Sequence, residues 1–167
     1  MESQVSSKRL TGLFLSKGQA ETVQIFGHAS RGVPGVEIVG LGPQSKLMKE
    51  KFIFLFKQME IKTPLKRFVL CVEKEILLNK DANDLTWLEL PLFVLLSSLA
   101  EIIPITRLDD CYCSGRLSLI GEVETLDQIL MKDYAEQKWI GGKARYVIPI
   151  EELFTDRIRE KKGEKNG

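Results

Sequence analysis

The spacing of apolar residues changes period several times along this chain, and each change marks an element. Lys8–Leu15 alternates weakly, and Thr22–Phe26 follows it across a Lys17-Gly18 turn, so the chain opens as a β-hairpin. Arg31-Gly32-Val33-Pro34-Gly35 reads as a turn, where glycine permits positive φ and Pro34 fixes its own. Val36–Leu41 is a third strand, and Pro43 suits the first turn of the helix that follows, where a missing N–H costs nothing. From Gln44 to Glu60 the period lengthens. Met48, Phe52, Leu55 and Met59 recur at steps of four, three and four, one stripe of a helix. Ile53, Phe54 and Phe56 fall off that stripe. A helix apolar over so wide an arc lies between two layers or offers a contact face, and these three residues are the candidate partner surface. Thr63-Pro64 closes the segment, because the residue before proline avoids the helical basin.

Arg67–Val72 is a short apolar run of strand length, and Leu78–Asp84 is a polar loop. Trp87–Ile102 predicts a strongly apolar central helix with Pro91 in its first turns and Pro104 beyond its end. Tyr112–Val123 reads as a strand with a turn at Gly121. Thr125–Trp139 predicts an amphipathic helix with Leu126, Ile129, Leu130 and Tyr134 inward, broken by Gly141-Gly142. Arg145–Ile148 is a last strand. Glu151–Lys161 is a last helix, acidic at its start and basic at its end as the macrodipole favours. An antiparallel opening followed by βα alternation predicts an α+β fold, a mixed sheet packed against helices. Residues 1–162 form one domain, and 163–167 a disordered tail.

Composition narrows the class. With 167 residues, 44% apolar and 28% charged, the chain can bury one ordinary core. No run of eighteen apolar residues occurs, so no membrane partner is expected. The start lacks a basic stretch followed by an apolar one. The cysteines, Cys71, Cys111 and Cys113, are odd in number and sparse, which fits a reducing, cytoplasmic setting. Net charge is +1, unevenly spread: residues 1–74 carry twelve Lys and Arg against six Asp and Glu, residues 75–167 twelve against seventeen. Either the fold presents one basic and one acidic surface, suited to an anionic partner or head-to-tail self-association, or interleaved strands cancel the asymmetry.

Candidate chemistry is thin. Gly141-Gly142-Lys143-Ala144 lacks the first glycine and the hydroxyl of a phosphate-binding loop. Gly40-Leu41-Gly42-Pro43-Gln44-Ser45 has Ser45 where a dinucleotide fingerprint needs its third glycine, so it reads as a strand-to-helix turn. Cys111 and Cys113 share a strand face, but structural zinc wants four ligands, and only Cys71 and His28 are left to supply them. No cofactor and no metal are expected. Lys46, Lys49 and Lys57 on the first helix, with Lys66 and Arg67 beyond it, are the candidate nucleic-acid contacts.

Three stretches occur in an order and spacing that resembles a known family. They are Gly32-Val33-Pro34-Gly35-Val36-Glu37-Ile38-Val39-Gly40-Leu41, then Leu88-Glu89-Leu90-Pro91, then Gly115-Arg116-Leu117-Ser118-Leu119-Ile120-Gly121. This pattern is similar to the Lon-protease-like N-terminal domain of the ComM and magnesium-chelatase-related AAA+ proteins, where the stretches read roughly GLPGF-x-IVGLP, FDLP and GELSLDG. The resemblance implies a Lon-protease-like (ribosomal-protein-like) fold, assembly into rings, and a link to DNA processing. It also implies an AAA+ ATPase partner, supplied in trans because no ATPase module is expected in this polypeptide. Lon proteases attack peptides with a serine hydroxyl deprotonated by lysine. Aligned on the motifs, the nucleophile position falls near Asp84 and the lysine position on Leu130, so the dyad is expected to be missing and the protein not to be an enzyme. The expected function is a non-catalytic binding or assembly module with a protein partner. The alternatives are a DNA-binding protein using the basic N-terminal half, or a residual Ser/Thr hydrolase using Thr86, paired with Lys132, or Ser97.

Overall fold

The computed structural model describes residues 6–73, 81–105, 107–127, 130–141 and 146–148. The predicted helix over Glu151–Lys161, the tail and Ile129 lie outside the described residues, as do residues 78–80 of the predicted loop. Strands β1 (Ser6–Ser16) and β2 (Gln19–Ser30) form the opening hairpin, in register from Ser6 opposite Ala29 to Ser16 opposite Gln19. Strand β3 (Gly35–Val39), helix α1 (Gln44–Gln58) and strand β4 (Arg67–Val72) make a βαβ unit with β3 and β4 parallel and adjacent. A four-residue helix α2 (Ala82–Leu85) and a turn of 3-10 helix (Thr86–Leu88) lead into α3 (Glu89–Leu99). Short strands follow: β5 (Cys111–Cys113), β6 (Arg116–Leu117), β7 (Val123–Glu124), β8 (Lys138–Ile140) and β9 (Tyr146–Ile148). The main sheet has seven strands in the order β3-β4-β2-β1-β5-β8-β9, mixed in direction, with β6 and β7 as a separate hairpin. The fold is therefore α+β with a mixed sheet packed against helices. No helix among the described residues is long and apolar enough to cross a membrane.

Period-two alternation sets the two sheet faces. Leu10, Ile25, Leu70 and Ile38 are buried on one face, beneath the helices. Helix α3 lies so close to β1 and β2 that two glycines are needed beneath it. A Cβ on Gly12 would come within 2.8 Å of Leu88, and one on Gly27 within 2.8 Å of Leu99 and 3.0 Å of Leu95. Helix α1 packs beside α3 through Phe52 and Phe56, whose rings lie 5.3 and 4.8 Å from that of Phe93. The predicted stripe Met48, Phe52, Leu55 and Met59 is buried throughout. Phe56 is also buried, at 4% exposure, which corrects its assignment to the partner surface: α3 covers a wider arc of α1 than one stripe.

Among its described residues, the predicted helix Thr125–Trp139 is not formed. Its last two residues, Lys138 and Trp139, belong to β8, parallel to β5, where Trp139 and the following Ile140 are buried. The stretch before β8 contains one 3-10 turn, Lys132–Tyr134, and wraps the far face of the sheet. There the Tyr134 ring meets Tyr112, and Trp139 donates its Nε1–H to the Tyr134 carbonyl at 2.9 Å. Burying Trp139 in a ladder outweighs the local helical period. The predicted turn at Gly121 and the short continuation beyond it are present in the β6–β7 hairpin, while the strand before the turn is divided into β5 and β6.

Cys111 and Cys113 are buried and Cys71 is half-buried, all three as free thiols. Burial pushes the Cys111 thiol up to about 11, and its hydrogen bond to Asp110 adds to the rise. A thiol whose folded value is raised stays protonated in the folded chain after the unfolded one has ionised. The Cys111 contribution to stability is therefore complete below about pH 9 and declines as pH rises from 9 to about 11. At pH 8, iodoacetamide followed by peptide mass mapping is expected to label Cys71 and spare Cys111 and Cys113 until urea unfolds the chain. Equal labelling rates at all three positions would contradict this burial pattern.

Candidate functional site

Two of the stretches singled out in the sequence meet at the start of α3. Leu90 donates its N–H to the Gly115 carbonyl at 3.0 Å, and Gly115 returns one to the Trp87 carbonyl at 2.9 Å. A side chain at Gly115 would press on Leu90 and on the Glu124 carbonyl, at 3.1–3.2 Å. The β6–β7 hairpin is thereby clamped onto α3. Glu89, nearly enclosed, completes the junction: its Oε1 accepts the Leu117 N–H at 3.0 Å and its Oε2 the Lys51 ammonium at 2.6 Å. Lys51 also donates to the Leu117 carbonyl at 2.8 Å, so one buried carboxylate ties α1, α3 and the hairpin together. Beside it, the Arg116 guanidinium lies 4.1 Å from the centre of the Trp87 ring and donates its Nε–H to Thr86 Oγ1 at 2.7 Å. Stacking on an indole and bonding a hydroxyl fix the direction of Arg116.

Beyond this junction the hairpin turn is held by Ser118, whose Oγ accepts the N–H groups of Ile120 and Glu122 at 3.3 and 3.0 Å. The turn presents Leu119 and Ile120, 54% and 49% exposed. Helix α1 presents Leu47 and Phe54, 61% and 43% exposed. Leu119, Leu47, Phe54 and half-buried Ile53 line one groove of about 660 Å³ whose base is the Lys51–Glu89 pair. Of the three residues expected to form a partner surface, Phe54 and Ile53 do line this groove, and Phe56 points the other way. Leu47, Leu119 and Ile120 were not anticipated. The available signal was two adjacent apolar residues in a turn position, where Gly, Asn, Asp or Ser is the rule.

The candidate nucleic-acid contacts divide between two sides of the sheet. On α1, Lys46 and Lys57 are exposed and Lys49 is half-buried, and Lys57 returns to nearly the same helix face as Lys46, about 16 Å along the axis. Lys66 is exposed. Arg67 shares a strand parity with Val69 and Cys71, on the sheet face away from the helices, and pairs with Glu37 at 2.9 Å. Alternation along β4 therefore turns Arg67 from the side that carries the α1 lysines.

Of the hydroxyls considered as nucleophiles, Thr86 is held by Arg116, and Ser97 is completely buried with no hydrogen-bond partner for its Oγ among the described residues. One lysine does reach a serine: Lys8 donates to Ser98 Oγ at 2.6 Å and to the Ser98 carbonyl at 3.3 Å. Ser98 is 1% exposed and gives its own proton to the Ile105 carbonyl at 2.6 Å. Lys8 is thus the donor of this pair and a cap on the last turn of α3, where a cation is favoured. Burial lowers Lys8 below the ordinary lysine value, and Glu101 acts against that. Among the described residues no group of three or more His, Cys, Asp or Glu is placed to hold a metal ion. Compared with known proteins, the chain matches no protein-family model and no curated protein sequence.

Proposed function

We propose that the chain is a non-catalytic binding and assembly module of Lon-like type, and that the groove between α1 and the β6–β7 turn is where a protein partner docks. The observation that carries this is the convergence of Leu47, Phe54 and Leu119 on one groove, with Ile120 exposed beside Leu119 on the same turn. Exposed apolar side chains that gather on one surface mark an interaction site. Its position supports the Lon-like reading, because two of the three stretches that carry the resemblance supply Glu89 and Leu119 to the groove. The polar groups at its base support a docking role rather than hydrolysis: Lys51 and Glu89 are bonded to one another and to the hairpin backbone, and Thr86 is held by Arg116.

The partner class that fits is another protein chain, either a further copy of this one, as in the rings of the family it resembles, or an AAA+ ATPase. Multi-angle light scattering at increasing concentration is expected to show a mass above one chain for the parent and a single-chain mass for Phe54→Glu. Phe54 is half-exposed, so its replacement leaves the core intact. Equal masses for both proteins at every concentration would remove self-assembly through this groove. Peptidase activity lost in Thr86→Ala or Ser98→Ala would overturn the non-catalytic reading.

A further inference from the structure

On the sheet face away from the helices, a second cavity of about 530 Å³ shares no residue with the groove. Its floor is a cross-strand row, Arg9 on β1, Phe26 on β2 and Cys71 on β4, in direct register. One wall is the 107–109 segment that leads into β5. Phe26 is 43% exposed although β2 is an interior strand. Neither helix covers it, because the residues of β2 on the helix side are Val23, Ile25, Gly27 and Ala29. An aromatic ring left open at the centre of a sheet, ringed by polar groups, has the make-up of a ligand site: an apolar platform with a few charges that orient what sits on it.

The charges select the ligand. Arg9 and Arg107 line the cavity with the His28 imidazole, against one acid, Asp109; Lys8 borders it too, but its ammonium is held by Ser98 on the other face of the sheet. Two guanidiniums suit a dianionic phosphate, whose oxygens accept paired N–H groups. Arg107 is paired with Asp109 at 2.9 Å, but both ends are exposed, so the pair is weak and Arg107 can exchange partners. Adjacent members of a cross-strand row stand about 5 Å apart. A phosphate held by Arg9 therefore places an attached ring over Phe26. We propose that this cavity binds a phosphorylated ring compound of mononucleotide size, its phosphate between Arg9 and Arg107 and its ring stacked on Phe26. The same chemistry is offered by a free nucleotide and by a nucleotide of a single strand.

Isothermal titration of the full chain with AMP, UMP, inorganic phosphate and a thymidine octanucleotide tests this. AMP and UMP are expected to bind about tenfold more tightly than inorganic phosphate, the gain being the stacked ring. Phe26→Ala is expected to weaken AMP about tenfold and leave phosphate unchanged. Arg9→Gln is expected to weaken both, and Asp109→Asn to tighten both. All three positions are solvent-exposed, so folding is not at stake. An octanucleotide that binds more tightly than AMP, with affinity falling steeply as salt rises, identifies a strand as the source; AMP binding alone identifies a free nucleotide. No heat with AMP or UMP at millimolar concentration would overturn the proposal. So would an AMP affinity that neither Phe26→Ala nor Arg9→Gln changes.

Discussion

Phe93→Ala is expected to lower the unfolding free energy by about 3–5 kcal/mol, the range for truncating a fully buried aromatic ring. Phe93 lies in the middle of α3, is buried, and meets two rings of α1: Phe56, stacked at 4.8 Å, and Phe52, tilted at 5.3 Å. Its removal takes away the transfer free energy of the ring and leaves a cavity. It also breaks two aromatic pairs, each worth about 0.5–1.5 kcal/mol beyond area burial. The neighbours have little room to close the gap, because Leu88, Leu95 and Leu99 already rest on Gly12 and Gly27 of the sheet. In a domain of this size the loss corresponds to a fall in Tm of roughly 6–20 °C. Urea titrations of the parent, Phe93→Leu and Phe93→Ala should show a graded series, with leucine recovering more than half of the loss. A loss below about 1 kcal/mol for the alanine variant would mean that α1 and α3 do not pack through this ring.

The second large effect belongs to the buried ion pair. Lys51→Met is expected to cost about 3 kcal/mol, because it leaves the Glu89 carboxylate enclosed with only the Leu117 N–H as a partner among the described residues. The ammonium is a quarter exposed, so water replaces part of what it supplied, and the cost falls at the low end of the range for buried pairs. The double variant Lys51→Met/Glu89→Gln is expected to recover most of the loss. It removes the stranded charge and keeps an oxygen for the Leu117 N–H. Strictly additive single and double variants would show that the two side chains act independently. Because Glu89 also positions the hairpin, Lys51→Met should weaken partner binding through Leu119 and Ile120 while Phe54 remains in place. The Phe54→Glu variant removes docking without loss of stability, so the two effects separate.

The elements legible in the sequence are those whose pattern is local. The hairpin of β1 and β2, the strands β3 and β4, and the helices α1 and α3 follow from alternation, from a four-three-four stripe, and from Pro43 and Pro104 at helix ends. Arg67–Val72 is the same span in both readings. Most of the partner surface was not legible. Phe54 and Ile53 were found because they fall off the buried stripe, whereas Phe56 falls off it too and is buried. Which of the three faces solvent depends on where α3 lies across α1, and no feature within α1 records that. Leu47 lies two turns before Phe54 on the same face of α1, but Leu119 and Ile120 join them only because Gly115 and Leu90 clamp the hairpin against α3, some seventy residues from α1 in sequence. The 125–139 segment failed for a related reason. A helical stripe of Leu126, Leu130 and Tyr134 can be satisfied by a wrapped loop as well as by a helix, and the parallel ladder of β8 with β5 decided between them.

Residue order alone therefore settled the class of fold, the opening strands, the two main helices and the lack of a strong phosphate-loop or dinucleotide signature. The backbone period and the proline positions act within a few residues, and no distant part of the chain is needed to read them. Tertiary structure decided the groove, the buried Lys51–Glu89 pair, and the row Arg9–Phe26–Cys71. Each joins residues from separate elements, and sheet order and register, set by burial of the whole core, bring them side by side.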